Sequence, residues 1–397
     1  MIRPETYDAI VVGGGPAGAT AATELARAGK SVILLDRAGR IKPCGGAIPP
    51  RLIRDFEIPQ SLLCARISGA RIVSPSERTI DMPIDGGYVG MVNRETFDEY
   101  LRERAAEAGA VRETGRYQRI ERDSDGCAVV HYESGTRAEP GAEKRLRAKL
   151  VIGADGARSK VAEQEVPGSE LKRWVYAYHE IVEAPSSGFD GSRCDVVYSS
   201  RFSPDFYGWV FPHGDTVSVG SGSAHKGFGL RGAVQDLRDV SGLGTQGTVR
   251  REGAPLPLQP LKRWDNGQDV VLAGDAAGVV APSSGEGIYY AMVSGQHAAE
   301  AGVAYLETAS ARALKLARKR FMKDHGRVFW ILGLMQHFWY SSDKRRERFV
   351  SMCADPDVQR LTWEAYMNKK LVRARPGAHA RIFFKDVAHL LGFVAPS

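Results

Sequence analysis

The stretch Asp8-Ala-Ile-Val-Val-Gly-Gly-Gly-Pro-Ala-Gly18 decides the fold, because an apolar run passes through three glycines into a helical segment. Its first five residues have the pattern of a short buried strand. Pro16 to Ala28 has the composition of a helix, and Ser31–Leu35 is predicted to be a second buried strand that ends in the acidic Asp36. Strand, glycine turn, helix, strand and acid in this order predict a βαβ unit that binds a dinucleotide.

In such a unit the glycines of this turn allow a pyrophosphate to bind. A pyrophosphate must approach the backbone where no Cβ is in the way, and the helix N-terminus then offers free N–H groups and the positive end of its dipole. Asp36 can accept hydrogen bonds from the hydroxyls of an adenosine ribose. A glycine-rich turn alone is weak evidence, but the ordered elements around it favour a ligand site. The candidate cofactor-binding residues here are Gly13, Gly15, Ala17, Gly18 and Asp36.

The rest of the chain predicts an α/β fold of Rossmann type with an inserted sheet and a helical C-terminal region. Lys149–Ala154 and Asp269–Ala273 have the pattern of further buried strands, and Arg94–Gly109 that of an amphipathic helix. Between about 172 and 263, short aromatic and β-prone runs are separated by Gly, Pro and Ser, which predicts an antiparallel sheet. Ser134–Arg147 is charged and predicted to be the surface tip of a hairpin. The predicted bounds are 1–65, 91–165 and 265–325 for the nucleotide-binding domain, 66–90 and 166–264 for the antiparallel substrate domain, and 326–397 for the basic helical region.

Composition narrows the class of protein. Apolar residues make up 43% of the chain and charged residues 25%, as in ordinary soluble globular proteins. The cysteines lie far apart without a CxxC pair, which argues against a disulfide framework and a zinc module and predicts a reducing cytoplasm. No His, Cys and carboxylate residues have metal-ligand spacing. Because the first strand begins within ten residues, we expect no signal or transit peptide.

The basic charge is concentrated in the C-terminal tail. Residues 312–397 contain 18 Lys and Arg against 7 Asp and Glu, a net charge of +11 in a chain of net charge +7. The apolar run Val328–Tyr340 is too short to span a bilayer, which requires roughly 20 apolar residues. The tail is therefore either a packed helix with a solvated basic face or a segment that rests on an anionic membrane. Nucleic acid is not expected as a partner, because no recognised binding motif accompanies the charge.

Two later segments indicate which dinucleotide is bound. Gly153–Ser159 and Gly274–Gly278 resemble the second and third FAD fingerprints of the flavoproteins similar to para-hydroxybenzoate hydroxylase. In that superfamily the acid matching Asp275 holds the ribityl chain of FAD. The turn matching Pro282–Gly287 begins a helix aimed at the flavin, whose N-terminus would stabilise negative charge there. The resemblance implies FAD as cofactor and adds Asp155, Asp275, Gly287 and Ile288 to the candidate cofactor-binding residues.

Three finer motifs resemble the geranylgeranyl reductases, above all those of bacteriochlorophyll synthesis. Lys42–Ala47 resembles their Cys-Gly-Gly loop, and Pro204–Pro212 matches their PxxYxWxFP motif. Arg94–Asp98 resembles their RxxFD helix start, whose arginine contacts FAD. The resemblance runs through nearly the whole chain, including Tyr366–Lys370 in the tail. It adds Cys44, Gly45 and Arg94 to the candidate cofactor-binding residues.

The resemblance implies an enzyme that reduces three isolated double bonds of a geranylgeranyl chain to give a phytyl chain. The chain would be carried on (bacterio)chlorophyllide or as the free diphosphate, with electrons from NADPH acting as a transient reductant of FAD. It also implies contact with the chlorophyll synthase and peripheral contact with the photosynthetic membrane of a bacterium.

An isolated alkene needs protonation as well as hydride, because no carbonyl makes it electrophilic. Aromatic rings stabilise the resulting cationic character by roughly 0.5–2 kcal/mol each. Tyr207, Trp209 and Phe211 alternate, so on one strand they would share a face and form this pocket, or they would be the core stripe of a sheet. Cys44 is either the proton donor or a small residue packed beside the flavin. His179 and His213 are expected to be ordinary hydrogen-bonding histidines. The candidate catalytic residues are Cys44, Tyr207, Trp209 and Phe211.

Two other functions fit the same fold. An FAD-dependent aromatic monooxygenase would hydroxylate a phenolic substrate with oxygen, and the motifs at Cys44 and Pro204–Pro212 argue against it. A prenyl-chain carrier similar to the Rab GDP-dissociation inhibitors would not need the FAD segments, and here those segments are intact.

Overall fold

The structure is a computed structural model, and it describes residues 6–37, 41–136, 138–171 and 173–369. The strands are β1 (Thr6–Val12), β2 (Val32–Asp36), β3 (Ala47–Ile48), β4 (Leu63–Ile67), β5 (Gly69–Val73), β6 (Thr79–Pro83), β7 (Val89–Val92), β8 (Val111–Arg122), β9 (Ala128–Gly135), β10 (Pro140–Gly153), β11 (Trp174–Glu183), β12 (Arg193–Val197), β13 (Gly208–His213), β14 (Thr216–Ser223), β15 (Thr248–Pro257) and β16 (Val270–Leu272). The α-helices are α1 (Pro16–Arg27), α2 (Pro50–Asp55), α3 (Arg94–Glu107), α4 (Lys160–Glu165), α5 (Leu230–Val240), α6 (Ile288–Thr308), α7 (Lys315–Trp339), α8 (Asp343–Met352) and α9 (Pro356–Asn368).

The first of two units contains the predicted Rossmann-type sheet. It comprises the described residues within 1–42, 94–174 and 255–329. Strands β8, β2, β1, β10 and β16 pair in parallel in that order, and β9 joins β8 to β10 by antiparallel pairing. Val12 pairs with both Leu35 and Gly153, and Gly153 pairs with Leu272. The residues that follow these strands therefore meet at one edge of the sheet, the edge at which such folds bind ligands.

Local sequence accounts for the first βαβ unit. The end of β1 is completely apolar because both faces of a parallel strand are covered, and Ala9 to Val11 have no exposed surface. Pro16 is the first residue of α1, a position where the missing N–H is not needed by the helix. Helix α6 packs against α1 so closely that a Cβ at Gly295 would lie 2.2 Å from the Ala17 carbonyl oxygen.

The second unit contains two sheets and comprises the described residues within 43–93, 175–254 and 330–397. Its seven-stranded sheet has the order β15-β11-β14-β13-β12-β5-β6, and its three-stranded sheet the order β3-β7-β4. Helix α5 covers one face of the larger sheet, where Val210, Val219 and Leu237 are buried in one apolar cluster. Residues 43–65 group with this unit because β3 and β4 both pair with β7; the domain bounds derived from the sequence stay a prediction.

Three sequence-based expectations need correction in detail. The inserted sheet is not purely antiparallel, because β5 and β12 pair in parallel. These two strands are far apart in the sequence, so no hairpin turn forces them to run antiparallel. Residues 172–263 are not all strands and loops, because they include the helix α5, in which Leu230, Val234 and Leu237 are spaced as on one helical face. Ser134–Arg147 is mostly strand, since β9 and β10 pair up to Gly135 and Pro140 and leave only a short turn.

The tail is helical as far as it is described, and Lys370 and the residues after it lie outside the described part. Helix α7 buries Phe321, Phe329 and Trp339. On α8, Arg346 is not the surface cation that its basic neighbours suggest, because it is only 1% exposed. Its guanidinium donates to the Pro204 and Tyr340 carbonyl oxygens and pairs with Asp343.

Candidate functional site

The glycine turn after β1 forms an open cradle at the start of α1. Gly13 adopts φ +105°, which a residue with a side chain rarely adopts, and its N–H donates to the Leu35 carbonyl oxygen at 2.8 Å. Gly15 caps α1 without a side-chain hydrogen bond, and a Cβ built there would meet nothing within 4 Å. The first N–H groups of α1 have no partner within the helix. An anion can therefore approach the backbone at Gly15 and Ala17.

Asp36 lies beside this cradle at the end of β2. The Gly14 N–H donates to its carboxylate, and the Arg102 guanidinium lies 3.5 Å from Oδ2. Burial raises the pKa of Asp36, while the Gly14 hydrogen bond and the charge of Arg102 act in the opposite direction. Arg102 also donates to the Gly14 carbonyl oxygen at 3.2 Å, so it connects the acid to the turn. Arg102 was not among the residues singled out from the sequence.

Asp275 and the start of α6 lie together in the same unit. Asp275 is 4% exposed and lies in the 3₁₀ helix Gly274–Ala277. Its Oδ2 is 2.5 Å from Lys42 Nζ, and a Cβ at Gly287 would lie 3.7 Å from its Oδ1. Ile288 is the first residue of α6, and its capping residue Gly287 makes no side-chain hydrogen bond. The acid and a helix N-terminus are thus adjacent, as a polar ligand group would require.

Arg94 and Asp155 both have partners within the first unit. Arg94 makes a bidentate ion pair with Asp98 at 2.7 and 2.8 Å, and both side chains are buried. Asp155 accepts hydrogen bonds from the Ser159 hydroxyl and from the Lys160 and Val161 N–H groups, so it holds the start of α4. Burial raises the pKa of Asp155. Contact of Arg94 and Asp155 with FAD stays a prediction.

The three predicted aromatic residues form a continuous row on the second unit. The ring centroids of Tyr207 and Trp209 are 6.0 Å apart, and those of Trp209 and Phe211 are 6.3 Å apart. Tyr207 directly precedes β13, and the other two are in it. Val210 points to the opposite face, into the apolar cluster under α5. The aromatic row therefore lies on the face of β13 opposite to the face that packs against α5.

The Cys44 loop lies against this row. A Cβ at Gly45 would be 3.1 Å from the Phe211 ring, and one at Gly46 would be 2.5 Å from His213 Nε2. Cys44 itself is partly buried, and the Gly46 N–H donates to its Sγ at 3.4 Å. Burial lowers the pKa of His213 to about 4, so at neutral pH the ring is uncharged and its Nδ1–H donates to the Phe211 carbonyl oxygen. Loop and row thus form one continuous surface.

Helix α9 packs against a buried cluster that Phe211 also contacts. Phe211 packs against a buried cluster that includes Ile67 and Met91. Trp363, Tyr366 and Met367 of α9 pack against the same cluster. Their spacing of three and four residues is shared by any amphipathic helix, and the resemblance at Tyr366–Lys370 does not indicate which residues this helix contacts.

The residues of the first unit fit a bound dinucleotide, since the open cradle at Gly15, the acid Asp36 beside it and the second helix N-terminus beside Asp275 are all present. Residues 6–47 and 58–181 match the family model described as "FAD binding domain". Fold and site define an FAD-binding protein.

Comparison with known proteins identifies the family to which the chain belongs. It is 58% identical to the geranylgeranyl diphosphate reductase of Rhodobacter capsulatus, over 98% of this chain and 99% of that protein. It is 37% identical to the chloroplastic geranylgeranyl diphosphate reductase of Oryza sativa subsp. japonica, over 92% and 82% of the two chains. The chain belongs to the geranylgeranyl diphosphate reductase family. In fold it is similar to a crystal structure described as geranylgeranyl bacteriochlorophyll reductase-like from Thermoplasma acidophilum, with a TM-score of 0.81 and 24% identity, over 96% of this chain and 99% of that one.

Proposed function

We propose that this protein is an FAD-dependent oxidoreductase that reduces three isolated double bonds of a geranylgeranyl chain, one after another, to give a phytyl chain. The observation that carries the proposal is the 58% identity to the Rhodobacter capsulatus reductase along nearly the whole chain. The aromatic row beside the Cys44 loop supports it, because a prenyl chain needs an apolar, aromatic surface. A monooxygenase or a carrier protein has no comparable support.

Different residues hold the cofactor and supply the proton for each reduction. Bound FAD, in its reduced form, supplies the hydride. When FAD is bound, the cradle at Gly15 would hold its pyrophosphate, Asp36 its ribose and Asp275 its ribityl chain. The N-terminus of α6 stabilises negative charge through its N–H groups and its dipole. The proton comes from the Cys44 thiol, so that proton and hydride together add two hydrogens across one double bond.

Trp209 and its neighbours in the aromatic row have two tasks in this proposal. Their ring faces stabilise the tertiary cationic carbon that forms on protonation, by roughly 0.5–2 kcal/mol each. Their burial also keeps water from that carbon, since Tyr207 is 8% and Trp209 7% exposed. Phe211 and the Cys44 loop beside it complete the surface along which the chain slides between successive reductions.

The substrate and the electron donor can be tested together. We expect the purified protein with FAD and NADPH to reduce geranylgeranyl diphosphate or geranylgeranyl-bacteriochlorophyllide, with products whose masses rise in steps of two hydrogens. Intermediates with one and two reduced bonds should appear and decay in order, because one flavin must be recharged for each bond. Substitution of Trp209 or Phe211 should shift the balance between these intermediates. Mass spectrometry of timed samples measures all of this.

Two outcomes would contradict the proposal. Oxygen-dependent formation of a hydroxylated product would indicate a monooxygenase. Binding of the prenyl chain without any reduction, by NADPH or by a reduced partner protein, would indicate a carrier. Contact with the chlorophyll synthase stays a prediction, and preference for the bacteriochlorophyllide ester over the diphosphate would support it.

We also propose that the protein contacts a membrane surface, on the basis of one exposed patch at the end of α7. Trp330 is 69% and Leu334 55% exposed, and they lie one helical turn apart. Next to them the Arg345 guanidinium lies 4.4 Å from the centroid of the Phe338 ring, and Lys344 is exposed. Aromatic and apolar side chains beside cations are typical of peripheral contact with anionic lipid. Among the described residues, no helix has the length and apolar character needed to cross a membrane.

We therefore expect salt-sensitive binding to vesicles that contain anionic phosphatidylglycerol. The double variant Lys344→Glu and Arg345→Glu should weaken binding about tenfold or more, since each basic residue near the surface contributes about 1 kcal/mol. Trp330→Ser with Leu334→Ser should weaken it at any salt concentration. Arg346 is left unchanged because it is buried. Lys226→Glu, at an exposed position outside the tail, is the matched charge control. Equal co-sedimentation of all these variants would contradict membrane contact.

A further inference from the structure

A chain of three hydrogen bonds runs behind the indole of Trp209 in the second unit. Trp209 Nε1 lies 3.2 Å from Ser218 Oγ, and Ser218 Oγ lies 2.9 Å from His179 Nδ1. His179 Nε2 lies 3.0 Å from Glu252 Oε2. Ser218 has no exposed surface and His179 is 3% exposed, so water does not compete for these bonds. The four residues come from the neighbouring strands β13, β14, β11 and β15.

Chemistry fixes the direction of the first and the last bond of this chain. An indole nitrogen can only donate, so the Ser218 oxygen accepts from Trp209 and its own hydrogen is free to donate. His179 Nδ1 is the next partner of that hydroxyl, and a carboxylate such as that of Glu252 can only accept, so His179 Nε2 carries a hydrogen. The Nε2–H then donates to Glu252, whose other oxygen is 2.6 Å from Arg250 Nε. Each member thus orients the next, and the last is anchored by an ion pair.

Gly220 provides the space that the indole occupies. Trp209 and His179 both pair with Gly220 across β14, one from each neighbouring strand. A Cβ at position 220 would lie 2.2 Å from Trp209 Cζ2 and 2.6 Å from His179 Cβ. The indole therefore rests against the backbone of β14, with Ser218 holding its N–H from the side. No larger residue at 220 would permit this ring position.

We propose that Ser218 and His179 are positioning residues, which hold the Trp209 indole against Gly220 and thereby set which double bond of the prenyl chain is presented for reduction. The inference rests on the proposed function, because it assigns the chain to the surface of this aromatic row. Without the Ser218 oxygen the buried indole N–H loses its acceptor, and the ring leaves its place on Gly220. A ring that moves changes the depth to which an apolar chain can slide past it.

The test compares Ser218→Ala with Ser218→Thr and with the control Ser221→Ala. Ser221 is a neighbour on β14, has no exposed surface, and donates to the Phe202 carbonyl oxygen outside the Trp209 chain. We expect Ser218→Ala to retain FAD and to change the ratio of partly to fully reduced product at least threefold. Ser218→Thr, which keeps the hydroxyl, should restore the ratio. Gly220→Ala, which displaces the indole directly, should reproduce the shift, and Ser221→Ala should not.

A spectroscopic measurement separates positioning from general destabilisation. The chain contains 6 Trp, so the indole N–H resonance of Trp209 can be assigned by its loss in Trp209→Phe. Ser218→Ala and His179→Phe should move this resonance. If wild-type protein reduces no geranylgeranyl chain, the proposed function fails. If wild type is active but the resonance or the product ratio of Ser218→Ala is unchanged, the positioning inference alone is overturned.

Discussion

Asp275→Ala is expected to weaken FAD binding about 10- to 100-fold, because a hydrogen bond to a charged group contributes about 1.5–3 kcal/mol. Asp275 is buried beside the N-terminus of α6, so water could not replace the contacts that we expect it to make with the ribityl chain. Asp36→Ala should also weaken binding, through loss of the ribose acceptor. Fluorescence titration of flavin-depleted protein measures both effects, and heat-denatured wild type should release non-covalent FAD.

The surface acid Asp324 supplies the control for this prediction. It is exposed and lies in the same unit, so Asp324→Ala should bind FAD as wild type does. Circular dichroism should show an unchanged fold in all three variants. Equal affinity of Asp275→Ala and wild type would contradict the assignment of this acid. Release of FMN, or of no flavin at all, from denatured wild type would contradict FAD as the cofactor.

Cys44→Ser should slow alkene reduction about 10²- to 10⁴-fold, the usual contribution of a positioned general acid. A serine hydroxyl has nearly the size of the thiol but is a much weaker acid. FAD binding should be unaffected, because the loop would still pack against Phe211 and His213. Single-turnover reduction of geranylgeranyl diphosphate by the pre-reduced protein measures the chemical step without interference from recharging of the flavin.

A second cysteine of the same unit is a matched control. Cys64 is also partly buried, and its thiol donates to the Met91 carbonyl oxygen at 3.3 Å. Burial raises the pKa of Cys64 to about 11, so the Cys64 thiol is protonated at neutral pH. Cys64→Ser keeps a donor for Met91 and should leave turnover within about twofold of wild type. If Cys44→Ser keeps full turnover as well, Cys44 is a packing residue and the proton has another source.

Local patterns in the sequence determined the nucleotide-binding part of this protein. The path from β1 through the glycine turn and α1 to Asp36 is encoded within 31 consecutive residues, and β1 and α1 begin and end within about two residues of the positions predicted for them. The alternation of Tyr207, Trp209 and Phe211 likewise predicts a shared face, because side chains on a strand repeat with a period of two. Such features depend on neighbours along the chain, which a sequence states directly.

Only the tertiary structure decided which distant residues meet. Lys42 and Asp275 are 233 residues apart, and His179 and Glu252 are 73 apart, yet each pair is in contact. No local signal predicts the parallel pairing of β5 with β12 or the burial of Arg346, since both depend on which elements the topology brings together. His179 illustrates the limit most clearly. From the sequence it is an ordinary histidine, and its place behind Trp209 arises because three strands bring both residues onto Gly220.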